Sequence, residues 1–100
     1  MRQKFRRLTF VKVDDEMPPM MTYFEAGFIG IVDCTYSQAY GGGAEQLKKY
    51  SLFQIEGDKI VNTISWYHEH QLTALAEQDR DKAEEMVDEY QTRGYEDEKT

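Results

Sequence analysis

Residues 50–66 read YSLFQIEGDKIVNTISW, and the fold is decided there. From Tyr50 to Ile55 every second residue, Ser51, Phe53 and Ile55, falls on one side. That is the period of an extended strand, whose successive side chains point to opposite faces. Glu56-Gly57-Asp58-Lys59 follows, with a glycine free to take positive φ between two strand-like runs, which is the chemistry of a hairpin turn. Ile60 to Trp66 then resumes the alternation, with Ile60, Ile64 and Trp66 on one face and Val61, Thr63 and Ser65 on the other. The stretch predicts two antiparallel strands joined by a tight turn.

Working outward, Arg6 to Val13 is rich in β-branched and aromatic residues and predicts an earlier strand, ended by Asp14-Asp15-Glu16. Met17-Pro18-Pro19-Met20-Met21 is an extended loop, because two prolines fix φ and remove two backbone donors. Phe24 to Tyr36 predicts a long strand, and Gly27 and Gly30 inside it mark bends or close backbone approach. Ser37 to Ala44 reads as a loop around Gly41, Gly42 and Gly43. From Leu72 the period lengthens. Leu75, Asp79, Ala83, Met86 and Tyr90 recur at helical spacing, Glu77, Asp79 and Asp81 sit where a helix start favours anions, and Gly94 is a stop signal.

This order predicts one α+β domain over residues 1–94, β-rich across 5–67, with a helix at about 74–93 and a frayed acidic tail at 95–100. The architecture expected is a small, strongly bent antiparallel β-sheet or Src-homology-3-like barrel with one C-terminal α-helix. An open sheet with the helix lying across one face is the alternative. The predicted core is Phe28, Ile31, Phe53, Ile55, Ile64 and Trp66.

Composition narrows the function. A chain of 100 residues buries only roughly 60–65% of its unfolded surface, which leaves little room for a deep catalytic cleft. Its one cysteine, Cys34, cannot close an intrachain disulfide, and its apolar surroundings predict a buried, inert thiol in a reducing compartment. No apolar run approaches the roughly 20 residues of a spanning helix, so no membrane partner is expected. Net charge is −7, unevenly placed: residues 1–13 carry five basic and no acidic side chains, and residues 77–100 carry ten acidic and four basic. An acidic body repels phosphate backbones, so direct nucleic-acid binding is not expected. The two oppositely charged segments, together with apolar loop residues, make a homodimer a possible outcome.

The sequence offers three candidate surfaces. The loop Met17, Pro18, Pro19, Met20 and Met21 combines adaptable methionines with fixed backbone, as partner-binding surfaces do. Asp81, Glu84, Glu85, Asp88 and Glu89 make the helix acidic, either as a solvated face or as a dock for a basic partner. Tyr36 and Tyr40 beside Gly41, Gly42 and Gly43 form a ligand-binding alternative, since tyrosines stack on rings and glycines let a ligand approach backbone. The P-loop lysine and hydroxyl residue do not follow these glycines. His68 and His70 would project to one side of a strand as two metal ligands do, but no spacing ties in a third, and no metal or other cofactor is predicted. No nucleophile–base–acid set can be placed, and no catalytic residues are predicted.

Four stretches, FVKVDDEMPP at 10–19, Gly27 to Gly43, Ile64 to Tyr67 and Asp79 to Tyr90, resemble small phage- and prophage-encoded proteins of Gram-positive bacteria. The resemblance implies a mobile-element accessory protein acting in the cytoplasm of a bacterial host. The function expected is a non-enzymatic interaction protein that binds and inhibits or modulates a host protein, such as a defence or nucleic-acid-binding one, through an acidic surface. The alternative is a small-ligand or nucleotide-binding oligomer that sequesters a signalling molecule.

Overall fold

The computed structural model describes residues 3–17 and 25–99, with the side chains of residues 94–99 outside the description. Five strands form one antiparallel sheet: β1 (Phe10–Val13), β2 (Ile29–Thr35), β3 (Lys49–Glu56), β4 (Lys59–His68) and β5 (Leu72–Ala74). A short helix, α1 (Tyr36–Tyr40), and a 3-10 turn (Ala44–Lys48) join β2 to β3. A second 3-10 turn (Glu69–Gln71) joins β4 to β5, and the C-terminal helix α2 (Arg80–Lys99) closes the chain. The strand order is β4-β3-β2-β1-β5. The domain is therefore α+β.

The predicted hairpin is β3–β4. Glu56 pairs with Lys59, and Gly57 sits at φ 64°, in the left-handed region that favours glycine. β3 lies inside the sheet and is buried on both faces, which divides the core in two. On one face Val11, Val13, Val32, Tyr50, Leu52, Tyr67 and Leu72 pack together with Phe5. On the other, α2 lays Ala83, Met86 and Val87 over Leu8, Ile31, Phe53 and Ile60, and the Tyr90 ring meets Phe53 edge-on with centroids 6.1 Å apart. Gly30 lies close against β3: a Cβ there would stand 3.0 Å from the Phe53 carbonyl oxygen.

Irregular pairings correct the predicted faces of β4. Gln54 pairs with Asn62 but Ile55 with Ile60, so Val61 is an extra residue and is 44% exposed. Farther on, Leu52 pairs with Ile64 and Tyr50 with Tyr67, so Ser65 and Trp66 together oppose Ser51. Each such bulge shifts the inside–outside phase. Ile60 consequently goes under α2, Tyr67 is fully buried on the other face, and Trp66 is only half-buried. Of the predicted core, Ile31 and Phe53 are buried; Phe28, Ile55 and Ile64 are half-buried and pack against the two clusters.

Several boundaries differ from expectation: β1 starts at Phe10 rather than Arg6, and β2 at Ile29 rather than Phe24. Leu72–Ala74 is strand β5 on the free side of β1, so the helix begins at Arg80, and it runs through Gly94 to Lys99. Asp79 Oδ1 accepts from the Lys82 amide and caps its start. Tyr36, read as a strand end, and residues 37–40, read as loop, are helical. The basic N-terminal segment and the acidic helix are neighbours, as Arg80 donates to the Arg7 carbonyl, yet no ion pair joins them among the described residues.

Candidate functional site

Thr35 at the end of β2 starts the site. Its hydroxyl accepts from the Gln38 amide at 3.1 Å, and the Gln38 side chain accepts from the Thr35 amide at 2.9 Å. This reciprocal capping box starts α1 at once. Gly41 at φ 83° ends it. The single turn sets Tyr36 and Tyr40 four residues apart, hence on one helix face, with ring centroids 5.0 Å apart. Trp66, turned out of the core by the β4 bulge, completes the group at 5.2 Å from Tyr36 and 6.1 Å from Tyr40, edge-on to both. Tyr40 is 72% exposed; Tyr36 and Trp66 are half-buried. The rings touch one another, so they enclose no gap, and what they present is a shallow aromatic platform. Lys49 lies at its edge with Nζ 5.6 Å from the Tyr36 centroid, a cation–π distance. The exposed glycines 41–43 border it.

The structure thus brings together Tyr36, Tyr40 and the glycine loop. It adds Trp66 and Lys49, which sequence reasoning placed elsewhere or passed over. Glycine is required at Gly41 and Gly42, whose φ values are 83° and 126°. Gly43 has extended backbone, and a Cβ there would meet nothing within 4 Å.

The other candidates lie apart from this platform. Asp81, Glu84, Glu85, Asp88 and Glu89 are all exposed along α2. Met17 is half-buried, with the Gln71 amide nitrogen 3.6 Å from its sulfur; Pro18, Pro19, Met20 and Met21 lie outside the described residues. His68 and His70 do come together, but with their Nδ1 atoms 2.6 Å apart. That is a hydrogen bond between rings rather than the spacing of two nitrogens around one metal. His68 Nδ1 also faces the His70 amide at 3.4 Å, and burial, followed by the neighbouring His70, pushes the His68 pKa down. Among the described residues no group of three or more His, Cys, Asp or Glu side chains could hold a metal ion. Cys34 is half-buried rather than buried; desolvation and then Asp33 raise its thiol, with Arg7 acting against them, which makes it a poor nucleophile.

A part-buried polar arrangement ties Glu25 to the sheet. Tyr67 donates from its hydroxyl to the Glu25 carbonyl at 2.8 Å, and the Gln54 side-chain amide donates to the Glu25 carboxylate. Burial, with Glu25 adding to it, pushes the Tyr67 phenol up to about 12. Comparison with known protein families, curated proteins and solved structures finds no match to this chain. No helix among the described residues is long and apolar enough to cross a membrane.

Proposed function

We propose that the chain is a non-enzymatic interaction domain that docks a partner protein on the Tyr36–Tyr40–Trp66 platform. The observation that carries this reading is the cluster of three contiguous aromatic rings at the end of the sheet, Tyr40 exposed and Tyr36 and Trp66 half-buried against it. Interface hot spots are enriched in tryptophan and tyrosine, and Tyr40, 72% exposed, offers most of its surface to a partner. A shallow platform favours a macromolecule over a small ligand, whose sites are concave and enclose most of the ligand. Lys49 at the edge supplies a polar rim.

The proposal has two further parts. The sheet closes as a Src-homology-3-like barrel: β4 and β5 stand at opposite ends of the strand order, yet only the three residues 69–71 join them. The setting is a phage or prophage accessory protein in a bacterial cytoplasm, acting on a host protein; the resemblance of the four quoted stretches supports it. Self-association would not use the edge of β4 near residues 60–63, where Arg93 donates to the Ile60 carbonyl and Asn62 Oδ1 accepts from the Thr63 amide.

The test is quantitative. A protein captured from a Gram-positive lysate is purified and titrated against the wild-type domain, Tyr40→Ala, and a variant with Glu84, Glu85 and Asp88 changed to Lys. Trp66, the only tryptophan, reports binding by its fluorescence. Tyr40→Ala should weaken binding by on the order of tenfold or more without altering stability. Unchanged affinity for Tyr40→Ala with loss in the charge-reversed variant refutes the platform and assigns docking to the acidic face of α2.

A further inference from the structure

We propose a second docking site at the other end of the sheet, a groove between α2 and the β3–β4 turn that takes a basic segment bearing apolar side chains. Its floor is Phe10, Ile29, Ile55 and Met86, its rim Asp58 and Lys82, and its volume about 320 Å³. The groove exists because α2 is narrower than the sheet face beneath it. Ala83, Met86 and Val87 cover Ile31, Phe53 and Ile60, whereas Phe10 and Ile55 are only partly covered and Ile29 stays 40% exposed. A second, wider lobe of about 610 Å³ shares Phe10 and Lys82 and continues past Leu75 to Glu77, Gln78 and Asp79. An apolar trough and an acidic one therefore adjoin at Phe10 and Lys82.

Charge selects the occupant. Asp58, Glu77 and Asp79 outnumber Lys82 along the two lobes, and none of the four is in an ion pair among the described residues. Three carboxylates disfavour a fatty-acid headgroup, a phosphate or an acidic peptide, and the net charge of −7 steers cations toward the molecule. Apolar side chains of a basic segment fill the trough beside Ile29 and Met86, while its Lys or Arg residues meet Asp58 and Glu77. The site is separate from the aromatic platform. The six steps of β2 from Ile29 to Thr35 place the two about 20 Å apart at 3.3 Å per residue.

The probes are short fluorescein-labelled peptides: one of alternating Leu and Lys, one of alternating Ser and Lys with equal charge, and one of alternating Leu and Glu. Fluorescence anisotropy reads binding to the full chain. The Leu–Lys peptide should bind at least about tenfold more tightly than the Ser–Lys peptide, and the Leu–Glu peptide should not bind. Ile29→Ser, at a position already exposed, should weaken Leu–Lys binding several-fold while the circular dichroism spectrum is retained. Asp58→Asn with Glu77→Gln should weaken it and flatten its salt dependence. Tyr40→Ala should leave it unchanged, so that this site and the platform fail or succeed separately. Equal binding of Ser–Lys and Leu–Lys, or wild-type affinity in Ile29→Ser, overturns the proposal and leaves only diffuse attraction to the acidic surface.

Discussion

Tyr50→Phe removes one oxygen from the interior. Tyr50 is fully buried, and its hydroxyl accepts from the Lys4 amide at 2.9 Å and the Phe5 amide at 3.1 Å. Those bonds tie the N-terminal segment to the sheet across more than forty residues of chain. The ring itself packs edge-on against Phe5 with centroids 5.5 Å apart, a contact that phenylalanine keeps. What is lost is therefore the partner of two backbone donors. A buried donor without a partner costs about 1–3 kcal/mol, and a partly buried one less because water reaches it. The Phe5 amide is buried and the Lys4 amide partly so, which gives about 2–4 kcal/mol in all. For a chain of this size that lowers the melting temperature by roughly 10–25 °C. Thermal and urea denaturation followed by circular dichroism measure it, with Tyr40→Phe, 72% exposed, as a control expected to change little. A shift below about 3 °C for Tyr50→Phe, with an unchanged urea slope, would mean that solvent already satisfies these amides and that the N-terminal segment is not held as argued.

Two further perturbations probe the same interior. The Tyr67 phenol is pushed up to about 12 in the folded chain against an ordinary value of about 10, so the unfolded chain loses its proton first; the stabilisation is complete below pH 10 and is lost as pH rises from 10 to 12. Wild type should therefore lose up to about 2–3 kcal/mol more than Tyr67→Phe across that window in urea titrations, and parallel curves would refute the assignment. Ile60→Ala, under α2, should cost about 2–5 kcal/mol and half-buried Ile64→Ala only about 1–2; the reverse order would mean that the bulges of β4 are misplaced.

The parts of the fold that were legible are those in which local chemistry decides alone. The β3–β4 hairpin was readable because Gly57 carries positive φ between two alternating runs, and α2 because Ala83, Met86, Val87 and Tyr90 recur at helical spacing. β5 was not: three residues have no measurable period, and Leu72–Ala74 is a strand only because β1 offers it a partner. Nor was α1, whose start is fixed by Thr35 and Gln38, a pair that lacks the usual acidic partner and lies inside what reads as a strand end. The two-faced burial of β3 was hidden for a related reason. Tyr50, Leu52 and Gln54 face one cluster while Phe53 and Ile55 face α2, and only the helix packing on the second face makes an alternating run a central strand.

The candidate site turns on the same kind of tertiary decision. Strict alternation from Ile60 puts Trp66 in the core, and composition agrees, since a lone tryptophan in a small domain is a natural core residue. The structure instead fills that interior with Tyr67, whose hydroxyl finds the Glu25 carbonyl and so can be buried without an unpaired donor. Trp66 has no comparable polar anchor among the described residues, and the bulge opposite Ser51 leaves it outside, against Tyr36 and Tyr40. Burying Tyr67 and exposing the aromatic platform are thus one event at one bulge. A chain folded with Trp66 inside would have to turn Tyr67 outward, separate its hydroxyl from Glu25 and remove the third ring from the platform. The residue that packs the interior best and the residues offered to a partner are chosen together, by pairing that no local period records.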